Sequence, residues 1–221
     1  MELLNKVVIA TPRLLDPTFA RSMVLVVEHT DESSSGIVLN GKHCGHVGFG
    51  SISHQDMVDQ EVISEWDAED VDHDKFREYM LNKLSNGELS NCPLYYGGPN
   101  REDALYFVHG YQQIAEAEFT AQERMSYKGM IPPSSMPTGS SEIIDGLWFG
   151  CPPVFIRIVE KGIEKRPRFK FLSGTVGWYP GQLEAEVRDG IWRIVDFNPD
   201  WMFDREQAEA QLPKKFDPSM N

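Results

Sequence analysis

Three groupings of side chains have the types that chemistry uses. The first is spread along the chain. His29 and His109 each follow an apolar, β-branched or aromatic run, so both can reach one end of a sheet and share a pocket with Trp178, Gln182 and Glu186, with Gly97 and Gly98 as its turn. Imidazole is the usual acid–base instrument near neutrality. The opposing reading has both imidazoles hydrogen-bonding backbone at strand ends while Gln182 ties a glycine-rich corner together, and it is preferred because buried polar groups are mostly satisfied structure. The second grouping is His43-Cys44-Gly45-His46, with His54 nearby, whose imidazole and thiolate donors suit Zn²⁺. A closed zinc site needs four convergent ligands and the spacing matches no standard finger, so no metal is assigned. The third is the serines. No Gly-x-Ser-x-Gly occurs, and Ser134-Ser135 and Ser140-Ser141 sit in loop-like sequence where hydroxyls cap turns. No catalytic residue and no cofactor is assigned. Gly97-Gly98-Pro99 lacks the Gly-x-Gly-x-x-Gly spacing of a dinucleotide loop and reads as a turn.

The elements that must position these groups centre on 174–192. Gly174, Gly177, Gly181 and Pro180 steer the apolar run Phe169–Leu172 into a short helix that stops at Gly190. On that helix Leu183 and Val187 face inward, Gln182 and Glu186 form a second row, and Glu184 and Arg188 a third. Upstream, Val7–Ala10, Met23–Val27 and Gly36–Asn40 read as strands, the second leaving the core at Glu28-His29. Leu94–Tyr96 is a short strand, Ala104–His109 another beyond an acidic turn at Glu102-Asp103, and Ile143–Phe149 a third. Pro153–Lys161 is a short helix and Ile191–Val195 a strand whose Trp192 and Ile194 share a face. The loop 131–141, rich in Pro and Ser, is expected to be mobile.

The 221 residues carry a net charge of −13, which opposes unspecific nucleic-acid binding and adhesion to anionic membranes. Gln55–Ser90 holds eleven Asp or Glu against three Lys or Arg, a net of −8, so more than half of the excess lies in one segment. Its periodicity predicts helices with a solvated acidic face. The only basic cluster is Lys161–Lys170. Cys44, Cys92 and Cys151 are scattered singly, which fits reduced thiols and a cytoplasmic location. No secretory signal is visible at the start, and no apolar run approaches the about 18 residues of a membrane span. One domain over residues 1–221, with an acidic helical segment at about 55–90, is the expected organisation.

Four pieces in order resemble the YqgE/AlgH family: Ala10-Thr11-Pro12 with Asp16-Pro17, Phe19 and Arg21-Ser22; Glu28-His29 with Gly36-Ile37-Val38-Leu39-Asn40; Tyr96-Gly97-Gly98-Pro99 with His109; and Gly177-Trp178 with Pro180-Gly181-Gln182-Leu183-Glu184 and Glu186. The resemblance implies an α+β fold with a bifurcated, coiled β-sheet forming a pseudo-barrel flanked by helices, in soluble bacterial proteins linked indirectly to transcriptional regulation. The chain departs from the family at Asn40-Gly41-Lys42, where Asn-Arg-Pro is usual, and at Thr175-Val176, where Tyr-Ala is usual. The acidic stretch is also longer.

The leading expectation is therefore a non-enzymatic regulatory or protein-binding module, with Asp67, Glu69 and Asp70 on its contact surface. The alternative is a small-molecule binder or enzyme using His29, His109 and Gln182. Direct DNA binding through Lys161–Lys170 ranks last.

Overall fold

A computed structural model describes residues 2–47, 92–121, 138–160 and 168–212. The acidic segment with Asp67, Glu69 and Asp70, His54, Ser134 and Ser135, and the basic residues of 161–167 lie outside the described residues. The architecture is mixed α+β, and the described residues gather into two compact units. The first comprises residues 1–42, 97–102 and 174–221, the second 43–96 and 103–173.

In the first unit, β1 (Lys6–Ala10) lies antiparallel between β10 (Trp192–Asp196) and β2 (Met23–His29), and β2 pairs β3 (Ser34–Val38). Val7–Ala10 and Met23–Val26 are buried at every position, as expected of β-branched runs covered on both faces. The next strand is the last part of β9 (Phe169–Trp178), which pairs β3 through Gly36↔Val176, Ser35↔Gly177 and Ser34↔Trp178. A core of Val8, Val24, Val26, Val176, Trp178 and Leu183 fills one side.

In the second unit, the first part of β9 runs parallel to β5 (Cys92–Tyr96), with Leu94↔Phe171, and β5 pairs β4 (His43–Val47). β6 (Asn100–His109) also neighbours β9 and pairs β8 (Leu147–Gly150), which forms a hairpin with β7 (Ser140–Ile144). Helices α1 (Gln112–Ala115) and α2 (Pro152–Glu160) complete the unit. Val154, Phe155 and Ile158, spaced three and four apart on α2, enter a core with Phe107 and Phe171. Arg157 of α2 donates to the carbonyls of Ala117 at 2.7 Å and Glu118 at 3.1 Å, and its guanidinium lies over the Phe119 ring.

Residues 43–47 form a strand although their composition is poor in β-formers, since pairing to β5 outweighs propensity. Four expectations differ from the structure. Glu102-Asp103 lie inside β6, on its exposed part, and form no turn. Ile143–Phe149 is two strands, because Gly146 at φ 82 turns the chain after Asp145. His29 is the last residue of β2 and still paired. Gly174 and Gly177 belong to β9, so the corner proper begins only after Trp178. Among the described residues, no helix is long and apolar enough to cross a membrane.

Candidate functional site

The corner of the first unit is assembled from β9, the turn Tyr179-Pro180-Gly181 and helix α3 (Gln182–Arg188). Gly181 enters the helix at φ 72 without a side-chain cap. Gln182 supplies the missing order: its Oε1 accepts the Tyr179 backbone N–H at 3.0 Å, and its own N–H donates to the Tyr179 carbonyl at 3.0 Å. One turn on, Gln182 Nε2 donates to Glu186 Oε1 at 2.7 Å. The other oxygen, Oε2, accepts the indole N–H of Trp178 at 3.2 Å and of Trp192 at 2.6 Å, and the two indoles meet edge to face at 6.1 Å. Glu186 is thus the shared acceptor of the last residue of β9, the first of α3 and the first of β10. Both indoles are almost fully buried, and a buried indole N–H needs such a partner.

The helix closes with Ile191 N–H on the Glu186 carbonyl at 2.9 Å and Gly190 N–H on the Val187 carbonyl at 3.0 Å, the paired bonds of a Schellman end. The loop after β1 holds this end from outside. Thr11 Oγ1 donates to the Gly190 carbonyl at 2.7 Å and Arg13 Nη1 to the Asp189 carbonyl at 2.8 Å.

His29 reaches the same helix through strand register. It pairs with Ser34 across β2 and β3, and Ser34 pairs with Trp178 across β3 and β9, so the three residues form a row leading into α3. Its Nδ1 lies 2.8 Å from Ser34 Oγ and its Nε2 3.6 Å from Glu184 Oε1. Glu184 Oε2 is buried with no hydrogen-bond partner. Ser34 is itself buried. His29 therefore meets the third row of the helix, at Glu184, whereas Glu186 is engaged with the tryptophans and Gln182 with Tyr179 and Glu186. Glu184 and Ser34 escaped the sequence reading because only the register of three strands, invisible as local spacing, places them beside His29.

Gly97 and Gly98 also belong to the first unit. The Gly97 carbonyl accepts the Val38 N–H at 2.9 Å. Gly98, at φ 152, lies so close to β9 that a Cβ there would stand 2.2 Å from the Thr175 carbonyl group. Their role in the fold is backbone contact.

His109 belongs to the second unit and is fully buried. The Tyr111 backbone N–H donates to its Nδ1 at 3.4 Å, which leaves Nε2 as the protonated nitrogen, donating to Ser140 Oγ at 3.1 Å. The rings of Phe107, Tyr111 and Trp148 stack around it. Burial lowers its pKa to about 4, so the imidazole is neutral near pH 7. The same cause raises Cys92 and Cys151 to about 11, which leaves both thiols protonated and unreactive.

A model of the AlgH-like family matches residues 7–212, a span that contains the corner, the β2–β3 pair and His109. The chain belongs to the AlgH-like family. Its relatives include a UPF0301 protein of Proteus mirabilis, 28% identical over 210 residues, which cover 95% of this chain and 88% of that one. A UPF0301 protein of Chlorobaculum tepidum is 26% identical over 203 residues, covering 91% and 79% respectively. The solution structure of the AlgH protein of Pseudomonas aeruginosa superimposes with a TM-score of 0.54 at 20% identity, covering 94% of this chain and 86% of that one. The last likeness carries the fold, which is mixed α+β as in the AlgH structure.

Proposed function

We propose that this AlgH-like chain is a non-enzymatic regulatory module that acts in the cytoplasm by binding another protein, with an indirect effect on transcription. The observation that carries this reading is the engagement of the corner: Glu186 is consumed by three donors and Gln182 by the turn it closes, so the polar groups with the most suggestive spacing hold structure together. On the same unit, Tyr179 at 81% and Leu15 at 91% exposure offer apolar contact. The acidic residues Asp67, Glu69 and Asp70 are the second contact of this reading, and their charge favours a partner with a basic face. Chemical cross-linking in cells followed by quantitative pull-down tests this. Wild type is expected to retain a defined partner that Tyr179→Ser and charge reversal at Asp67, Glu69 and Asp70 each release. An identical set of captured proteins from wild type and both variants would sink the reading.

A second reading rests on Glu184. Its Oε1 lies 3.6 Å from His29 Nε2 while its Oε2 is buried without a donor, an arrangement that a ligand's hydroxyl or ammonium group completes. Thermal-shift screening against hydroxylated and amine metabolites is expected to raise the melting temperature of wild type and not of Glu184→Leu. Equal shifts in both proteins would remove it.

A further inference from the structure

His43, Cys44 and His46 on β4 are exposed and play no part in the corner or in either reading of it. In a regular strand, residues three apart point to opposite faces. Here the register shifts between His43 and Gly45, so that His43 faces Tyr95 while His46 faces Pro93. Tyr95 and Pro93 are two apart on β5 and share a face, and the residue added by the bulge on β4 therefore brings both histidines to that face as well. Their ring centroids lie 4.6 Å apart with planes inclined at 69°, and the His43 ring packs edge-on against Tyr95.

That separation suits a shared ion. Imidazole nitrogens bind Zn²⁺ at about 2.0–2.1 Å, and two rings on one ion at angles of about 90–110° have centroids roughly 4.5–5.3 Å apart. Among the described residues no set of three or more His, Cys, Asp or Glu side chains gathers to hold a metal, which limits the protein's contribution to the pair. Cys44 Sγ is turned toward β5 and donates to the Leu94 carbonyl at 3.5 Å. We propose that the bulge of β4 makes His43 and His46 a two-imidazole site for a borderline divalent ion such as Zn²⁺, Ni²⁺ or Cu²⁺. The remaining coordination positions are open to water or to a donor from outside the chain. Two nitrogen donors select these ions over Mg²⁺ and Ca²⁺, which demand oxygen, and rank Cu²⁺ tightest.

Titration calorimetry of the full chain with ZnCl₂ at pH 7.5, with MgCl₂ as competitor, tests the assignment. One Zn²⁺ is expected per chain, undisplaced by Mg²⁺. His43→Ala and His46→Ala should each weaken binding by about tenfold or more, since losing even an outer-shell partner of a ligand costs about 10–100-fold. Cys44→Ser and His29→Ala should bind as wild type does. Because both histidines are exposed, the variants should keep the wild-type circular dichroism spectrum; if one does not, His43→Gln and His46→Gln replace it. Selective broadening of the His43 and His46 ring resonances by substoichiometric Cu²⁺ is the second expected readout. The proposal is overturned by no detectable Zn²⁺ binding, by equal binding in wild type and the histidine variants, by loss in Cys44→Ser, or by broadening centred on other residues.

Discussion

Glu186 in the first unit and His109 in the second are both ionisable side chains set among aromatic rings, and the two units accommodate them by opposite means. Around Glu186 the protein aims donors: two indole N–H groups and a side-chain amide converge on one carboxyl group. Around His109 it withholds solvent: the ring is fully buried, has one polar partner at each nitrogen and has lost its proton. Two ionisable side chains among aromatic rings therefore fail for different reasons. The corner should be vulnerable to removal of the acceptor, because that strands buried donors. The aromatic core should be vulnerable to acid, because that charges a group with no water to receive it.

The largest effect is expected where Gly98 meets β9 backbone to backbone. Gly98→Ala would drive a Cβ to 2.2 Å from the Thr175 carbonyl carbon and oxygen, neither of which can swing away. A loss of roughly 4 kcal/mol or more, or failure to fold, is expected in urea denaturation. Next comes the acceptor itself. Glu186→Ala should cost roughly 3–4 kcal/mol by the same measurement, since two buried indole N–H groups lose their partner at about 1–3 kcal/mol each. Glu184→Gln, two residues away on the same helix, should cost far less, because among the described residues its carboxyl group has only His29 beside it where Glu186 has three donors.

The prediction for His109 is a pH dependence. Its folded pKa, about 4, is depressed below the unfolded value of about 6.5, so the unfolded chain takes up the proton first. The contribution is fully present above pH 6.5 and is lost as pH falls toward 4, on the order of 3 kcal/mol over that window. Subtracting the pH–stability profile of His109→Gln from that of wild type should isolate this slope; a flat difference would contradict it. The smallest effect belongs to Gly181→Ala. Nothing lies within 4 Å of the added Cβ, so only the left-handed backbone at φ 72 is strained, at about 1 kcal/mol. A much larger loss would mean that the turn is tighter than its contacts show.

These features were unequally legible in the sequence. The β1 and β2 strands, the α3 rows and the Gly190 stop follow from local pattern, and so does Gln182 as the residue that secures the corner. The hydrogen bonds of Glu186 were half visible: its i, i+4 relation to Gln182 is local, but Trp178 and Trp192 arrive from two different strands. The glycines at 174 and 177 looked like turn residues because the sequence cannot show that another backbone, at Gly98, passes against β9. His43 and His46 stood out in the sequence only as ring donors, because a bulge that turns both to one face leaves no mark in composition. His109 reads from sequence as a strand-end imidazole bonded to backbone, with acid–base chemistry as the alternative, whereas the three rings that deprive it of water come from positions 107, 111 and 148.

The clamp at Glu186 is tested most directly by hydrogen exchange at the Trp178 and Trp192 indole N–H groups, followed by NMR at pH 7. Both should exchange as slowly as the amides of the β1–β2 ladder in wild type, and Glu186→Ala should release them together. Rapid exchange of both indoles in wild type, or protection that survives the substitution, would contradict the clamp.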